Sequence, residues 1–251
     1  MRIWRPVRAR PDVWGPWITL AIGAGIAAVF VLVQLVIVYA GVLYRTRHGQ
    51  PVSMPAVAAS MGDNGLAFSI VTLASSITCC MLTWWAAKLR KSATAADYLG
   101  MRAVRAGRLL AWTGVAAGLM AVSDLAEPLL KNPQGPDFTL SLYRSADFIP
   151  LLWVAAVIAA PAFEELFFRG FLLQGLRYSR IGPVGAVVLT SLVWAASHGQ
   201  YSHGEIVEIF VFGLFLGIAR IRTGSIYTSF AMHAFVNMAT LVQAAWMSGS
   251  H

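Results

Sequence analysis

Charged residues are scarce in this sequence: Asp, Glu, Lys and Arg together make up 12% of its 251 residues. A soluble domain carries about 25%, so the composition excludes an ordinary cytosolic globule. It also excludes a disordered chain, because disordered segments are polar and highly charged. Hydrophobic residues make up 58% of the chain. The composition therefore predicts an integral membrane protein with several spans.

Cysteine is also scarce, and its only two copies are the neighbours Cys79 and Cys80, which lie inside an apolar run. Adjacent cysteines are poor partners for a structural disulfide, and no metal-binding spacing surrounds them. The sequence also lacks the HExxH pattern of zinc proteases. These absences argue against a disulfide scaffold, a zinc finger and a zincin site.

Acidic residues number 11 against 19 Lys and Arg, which gives a formal net charge of +8. The basic residues stand in short clusters between apolar runs, and this pattern is typical of topology signals in membrane proteins. It does not resemble the continuous basic face of a nucleic-acid-binding protein. We therefore predict membrane lipid as a partner and no nucleic acid.

Seven apolar runs approach the length of roughly 20 residues that a bilayer-spanning helix needs. The fourth run is longer than one crossing requires and contains Pro161, so we expect either one long tilted helix or a helix broken at that proline. The fold class predicted is an all-α transmembrane bundle of about seven to eight spans. The seven runs are residues 17–44, 66–87, 109–125, 148–178, 184–200, 206–221 and 226–247.

If all seven runs cross the membrane, most of the basic residues fall on one face. These are the N-terminal arm, the 88–108 connector and the pairs at 177/180 and 220/222. By the positive-inside rule we expect the N-terminus in the cytoplasm. The sequence is rich in Ala, Arg and Gly, a composition typical of bacterial proteins. We therefore expect the protein to lie in the bacterial cytoplasmic membrane. A polar loop is predicted between Pro128 and Pro136.

Ionisable residues are absent from the first two apolar runs but recur in the last four. Such a side chain costs at least about 2.5–3.5 kcal/mol in hydrocarbon and marks function by default. We therefore divide the chain into N-terminal helices with a basic connector (1–147) and a candidate catalytic core (148–247). The polar residues of this core are Glu164, Glu165, Arg169, His198, His233 and Asn237.

The spacing of these residues predicts polar stripes on three helices, because residues four apart share a helix face. Glu165 and Arg169 are four apart, as are His233 and Asn237. Lipid cannot satisfy such groups, so the stripes are expected to face one another around a shared cavity. Polar side chains also join helices without doing chemistry. For Glu165 and Arg169 a structural ion pair and a role in support of catalysis both remain open.

Three motifs follow one another in successive apolar runs: EExxxR at 164–169, WxxxH at 194–198 and HxxxN at 233–237. In this order they resemble the motifs of the CPBP family. That family comprises CAAX-processing and bacteriocin-processing intramembrane proteases and is related to the Rce1-type prenyl-protein endopeptidase. The resemblance covers roughly residues 148–240. The second motif usually begins with Phe, whereas this chain has Trp194.

The resemblance implies an endopeptidase that uses a glutamate-activated water, without a metal cofactor, on a membrane-associated protein or peptide. It implies that Glu164 is the general base and that His198 helps to hold and polarise the water. His233 and Asn237 would donate hydrogen bonds to the oxyanion, while Glu165 and Arg169 would support the carboxylates. The residues alone do not decide between Glu164 and Glu165 as the base.

Several alternatives remain open at this stage. Glu164, His198 and His233 form a set of two histidines and one carboxylate that a zinc-dependent version of the protease would use as ligands. Ser229 is the best candidate for a covalent nucleophile. A non-enzymatic scaffold, immunity factor or regulator would keep the same fold, and a proton-relay transporter is a third class. CAAX processing and bacteriocin processing or immunity are both compatible with the sequence, which does not predict an oligomeric state.

Overall fold

The computed structural model describes residues 13–50, 52–62, 64–91, 93–130 and 138–249, except for the side chains of residues 61 and 126–130. Within these ranges the chain forms ten helices and no strand, which confirms the all-α prediction. The helices are α1 (Pro16–Arg47), α2 (Met54–Gly62), α3 (Gly65–Lys88), α4 (Ala95–Leu99), α5 (Ala106–Leu130), α6 (Phe138–Arg144), α7 (Ile149–Leu176), α8 (Gly182–Ala196), α9 (His203–Thr223) and α10 (Ile226–Gly249).

Each predicted apolar run forms one of the long helices, and the short helices α2, α4 and α6 lie in the connections between them. Among the described residues, α1, α3, α7 and the segment Ala106–Leu125 of α5 are long and apolar enough to cross a membrane. Helix α8 is apolar but shorter. Many large apolar side chains on these helices are exposed, among them Leu32, Val36 and Trp85. A surface of this kind suits lipid, and the protein is an integral membrane protein. The full number of crossings stays a prediction.

The polar loop expected from Pro128 begins later than predicted. Helix α5 continues to Leu130, so Pro128 belongs to the end of the helix rather than to a loop. The remainder of the predicted loop, residues 131–137, lies outside the described residues.

Helix α7 packs against α1, α3, α8 and α10 and is the central element of the bundle. It is one continuous helix, so the alternative of a break at Pro161 was wrong. The turns before the proline widen into a π-helical segment, Val154–Ala159, in which the Ala160 N–H reaches back five residues to the Ala155 carbonyl. A wider turn makes room for the proline ring, which would otherwise clash with the carbonyl four residues earlier. A second π segment, Glu165–Leu172, begins at the predicted carboxylate pair.

Described residues of the predicted basic clusters lie at one end of the bundle. The Trp14 indole N–H donates to the Ala86 carbonyl at 3.0 Å, and the Arg90 guanidinium lies 5.4 Å from the Trp14 ring. At the same end, Arg220 donates to the Leu99 carbonyl at 3.4 Å. Gly100 has φ +74° and leaves no room for a side chain beneath that guanidinium. The start of α1 and the ends of α3 and α9 therefore share a face, while the side of the membrane on which this face lies stays a prediction.

Candidate functional site

Four helices bring the polar residues of the core together. Glu164 and Glu165 lie near the middle of α7, Trp194 in the last turn of α8, and His233 in the first half of α10. The Trp194 ring lies edge-to-face against the His233 ring, with 5.2 Å between centroids. Phe212 of α9 closes the group at 6.2 Å from the His233 ring. The predicted convergence of three polar stripes is therefore observed, and α9 adds an aromatic wall.

Glu165 and Arg169 form an ion pair that is fully removed from solvent. Glu165 Oε1 lies 3.1 Å from Arg169 Nη1, and the two side chains are 1% and 0% exposed. Arg169 also donates to the Gly213 carbonyl at 3.4 Å, and its guanidinium stacks 4.4 Å from the Trp194 ring. Taking either charge away would leave the other buried without compensation, which is strongly destabilising. The pair therefore locks the position of the Glu165 carboxylate.

The Glu165 carboxylate also fixes the orientation of His233. Its Oε1 lies 3.1 Å from His233 Nδ1, and an ionised carboxylate only accepts hydrogen bonds, so Nδ1 carries the proton. The other ring nitrogen, Nε2, then faces Glu164 Oε2 at 3.9 Å. In the neutral ring this nitrogen is an acceptor, and it becomes a donor only in the imidazolium form. The oxyanion role expected for His233 therefore requires the protonated ring.

Glu164 differs from its neighbour in both exposure and partners. Its side chain is 20% exposed, and its Oε2 accepts a hydrogen bond from the Trp194 indole N–H. Glu165, by contrast, is 1% exposed and is engaged by Arg169 and His233. Of the two carboxylates, only Glu164 is placed to meet a water molecule or a substrate.

His198 lies just beyond the end of α8 and is half-buried. Its Nδ1 lies 2.8 Å from the Trp194 carbonyl oxygen, which can only accept, so this nitrogen donates and Nε2 is left as an acceptor. The His198 ring packs against the other side of the site, 5.1 Å from the Trp194 ring centroid. It therefore reaches Glu164 and His233 through Trp194 rather than by direct contact.

The alternative metal ligands do not form a coordination group in this arrangement. Across the described ranges, no three His, Cys, Asp or Glu side chains lie close enough together to hold a metal ion, and this includes Glu164, His198 and His233. The Ser229 hydroxyl donates to the Ile226 carbonyl at 3.1 Å and is fully buried. A covalent nucleophile would have to be exposed to substrate, so its placement disfavours that alternative for Ser229.

Asn237 donates from Nδ2 to the Ala156 carbonyl at 2.8 Å. The backbone of α7 explains why this carbonyl needs a donor. The Ala160 N–H is already used by Ala155, and the next residue in line is Pro161, which has no N–H. Asn237 thus supplies the hydrogen-bond donor that the proline lacks. This bond uses one of the two N–H groups of the Asn237 amide.

Two contributors were missed by sequence reasoning. From the sequence, Trp194 is identified only as the first residue of the second motif, whereas its indole N–H binds Glu164. Gly213 permits α9 to approach, because a Cβ there would lie 2.9 Å from the Trp194 ring and 3.2 Å from Arg169 Nη2. The substitution of Trp for the usual Phe in the second motif was the available signal for the first. A glycine in an apolar helix was a weak signal for the second.

Comparison with known families matches residues 146–239 to the family described as type II CAAX prenyl endopeptidase Rce1-like. This segment contains all six predicted site residues. Residues 146–239 of this chain are thus similar to that family. The match confirms the resemblance that the three motifs had indicated, and the matched segment runs from just before α7 into α10.

Two proteins similar to this chain come from bacteria. An uncharacterized 24.3 kDa protein of Escherichia coli is 29% identical over 177 residues, which cover 68% of this chain and 77% of that protein. The uncharacterized protein YyaK of Bacillus subtilis (strain 168) is 30% identical over 139 residues, or 51% of this chain and 46% of YyaK. The chain thus spans less than half the length of YyaK. No solved structure matches.

Proposed function

We propose that the protein is an intramembrane endopeptidase that hydrolyses a peptide bond of a membrane-associated protein or peptide. One observation carries the proposal: the Glu164 carboxylate is partly exposed, is held by Trp194, and faces His233 Nε2 at 3.9 Å. A fixed carboxylate beside an imidazole in an apolar interior is suited to general acid–base chemistry on a bound water. The family to which residues 146–239 belong supports the same reaction class.

The proposed reaction begins when Glu164 takes a proton from the water, whose oxygen attacks the scissile carbonyl carbon. The carbonyl oxygen becomes an oxyanion, which accepts hydrogen bonds from His233 Nε2–H and from the second N–H of Asn237. His233 must carry a proton on Nε2 to donate in this step, while its Nδ1 is engaged by Glu165 at 3.1 Å. When the tetrahedral intermediate collapses, the C–N bond breaks and Glu164 returns its proton to the leaving amine. His198, whose ring packs against Trp194, helps to orient the water.

The buried position of Arg169 gives it a supporting part in this scheme. Its guanidinium lies 3.1 Å from the Glu165 carboxylate and remains out of contact with substrate, because it is 0% exposed. The first motif thus contributes the general base and its supporting ion pair, and the second contributes a histidine that binds the water. The third contributes the two donors to the oxyanion. The sequence leaves open whether Glu165 and Arg169 form a structural ion pair or support catalysis. In this scheme they do both, because the ion pair supports catalysis by holding the site together.

The substrate proposed is a peptide segment that reaches the site at the level of the membrane. We keep two substrate classes, the C-terminus of a lipid-modified CAAX-type protein and a secreted peptide such as a bacteriocin precursor. The location proposed is the bacterial cytoplasmic membrane with the N-terminus in the cytoplasm. The competing class is a non-enzymatic scaffold or immunity protein, which would keep the cluster for binding alone.

The test is proteolysis by purified protein in liposomes against a library of membrane-tethered peptides, with and without a lipid modification. Glu164→Gln is expected to lower kcat/KM at least about a hundredfold, as removal of a general base does. The matched control is Asp147→Asn, the same change of acid to amide at an exposed position, which should cleave like wild type. Thermal unfolding of each variant shows that the fold is intact.

Undiminished cleavage by folded Glu164→Gln would refute the proposed base. A parallel series with a chelator addresses the zinc-dependent version of the protease. Cleavage that survives chelation supports water activated by the carboxylate, whereas loss of cleavage that added zinc restores would make Glu164 a metal ligand instead. Cleavage of only the lipid-modified or only the unmodified peptides would decide between the two substrate classes.

A further inference from the structure

Trp194 occupies a central position in the site but has no chemistry of its own to offer. It is 2% exposed. The face of its ring carries the Arg169 guanidinium at 4.4 Å, and its edges meet the rings of His198 and His233. Its indole N–H points at Glu164 Oε2. The residue therefore contacts the buried ion pair on one side and the exposed carboxylate on the other.

The indole ring is held so firmly that its N–H has only one direction. Arg169 covers one face, and the backbone of Gly213 approaches so closely that a single added carbon there would lie 2.9 Å from ring atom Cε3. The carboxylate of Glu164, by contrast, stands at the end of an unbranched side chain and is 20% exposed. A donor held in one place therefore determines where this carboxylate rests.

We propose that Trp194 is a positioning residue that acts through Glu164. Its N–H engages Oε2 on the side of His233, so that the second oxygen, Oε1, is left to take the proton of the attacking water. This inference rests on the proposed function. It extends that function by explaining what Trp194 provides in place of the usual phenylalanine of the second motif. Phenylalanine would keep the ring contacts but would supply no hydrogen-bond donor.

The variant that isolates this hydrogen bond is Trp194→Phe, which retains an aromatic face for Arg169 and edges for both histidines. We expect kcat to fall about tenfold, the size expected for a lost hydrogen bond to a charged group, while KM stays within about twofold of wild type. A residue that only filled space would change the stability or KM and leave the turnover of folded protein alone. Trp84→Phe, at a 41% exposed position on α3, is the matched control and should leave both constants unchanged.

A spectroscopic arm tests the contact without relying on activity. In protein labelled with ¹⁵N in tryptophan, the indole resonance that is missing from Trp194→Phe belongs to Trp194. We expect it at lower field than the indole resonances of the lipid-exposed tryptophans, as a charge-assisted hydrogen bond requires. We also expect it to move to higher field in Glu164→Ala, and Asp147→Asn should leave it in place.

The two arms separate failure of this inference from failure of the proposed function. An indole resonance that does not respond to Glu164→Ala overturns the positioning role, whether or not the protein is a protease. Wild-type kcat in folded Trp194→Phe, beside an inactive Glu164→Gln, overturns the positioning role and leaves the protease standing. If no peptide is cleaved by any variant, the spectroscopic arm alone decides whether Trp194 holds Glu164.

Discussion

Buried polar side chains occur in two regions of this molecule, and the two regions satisfy them in different ways. In α3 the hydroxyls of Ser75 and Thr83 each donate to a carbonyl four residues earlier in the same helix, both at 2.7 Å. Such a bond needs no neighbouring helix and constrains none. These residues are as deeply buried as those of the site, yet their hydrogen bonds do not depend on the position of any neighbouring helix.

Besides the ion pair between Glu165 and Arg169 within α7, the cluster on this helix finds its partners on other helices. Glu165 binds His233 of α10, Arg169 binds the Gly213 carbonyl of α9, and Glu164 is held by Trp194 of α8. Each of these bonds exists only while the helices keep one relative position. Burial of a polar residue is therefore a poor sign of function by itself. Burial with partners on several helices, which fixes a geometry at a cost in desolvation, is a much better sign.

The largest effect on stability is expected from Arg169→Gln, because it leaves the Glu165 carboxylate buried beside an uncharged neighbour. Removing one partner of a buried ion pair costs about 3–5 kcal/mol. Unfolding of the protein in detergent micelles, followed by circular dichroism, measures the loss. The control is the double variant Glu165→Gln/Arg169→Gln, which has no uncompensated charge and should recover a large part of the stability. A single variant as stable as wild type would remove the basis of the contrast between α7 and α3.

The position of the cluster could be predicted from the sequence because of one physical fact, the high cost of charge in hydrocarbon. Two apolar runs without ionisable residues, followed by runs that contain Glu164, Arg169 and His233, are sufficient to locate a site. The same fact made the seven long helices predictable. Short helices such as α2 and α4 could not be predicted, because they are too short to show a periodicity and lie between apolar runs.

The partners within the cluster could not be predicted, because they depend on how helices rotate against one another. The sequence places Glu164 and Glu165 side by side, and only the packing of α8 and α10 assigns Trp194 to one and His233 to the other. The pairing of Asn237 with Ala156 has the same origin. It also depends on the π segment before Pro161, which no residue pattern in this run indicates.

A smaller effect is expected from Asn237→Ala, which takes the amide donor away from the Ala156 carbonyl. A buried carbonyl left without a partner costs about 1–3 kcal/mol, and the same unfolding measurement applies. The matched control is Gln243→Ala on the same helix, where an exposed amide donates to Asp124 at 3.4 Å. That change should stay within about 0.5 kcal/mol.

The explanation through Pro161 can be tested by a second substitution. Pro161→Ala restores a backbone N–H next to the unsatisfied carbonyl, so Asn237→Ala should cost less in that background than in wild type. The difference between the two costs is a coupling energy between residues on different helices. Equal costs in both backgrounds would show that the amide does not replace the donor that the proline lacks.

The smallest effect is expected from Ser75→Ala in α3, although Ser75 is fully buried. Its hydroxyl donates to the Val71 carbonyl, which keeps its helical backbone partner when the hydroxyl is removed. No polar atom is left unsatisfied, so the loss should not exceed about 0.6 kcal/mol, the average for polar contacts between membrane helices. Peptide cleavage should be unchanged. A loss of stability equal to that of Asn237→Ala would mean that polar groups bonded within one helix contribute as much to stability as those bonded across helices. Burial alone would then have to count as a sign of function.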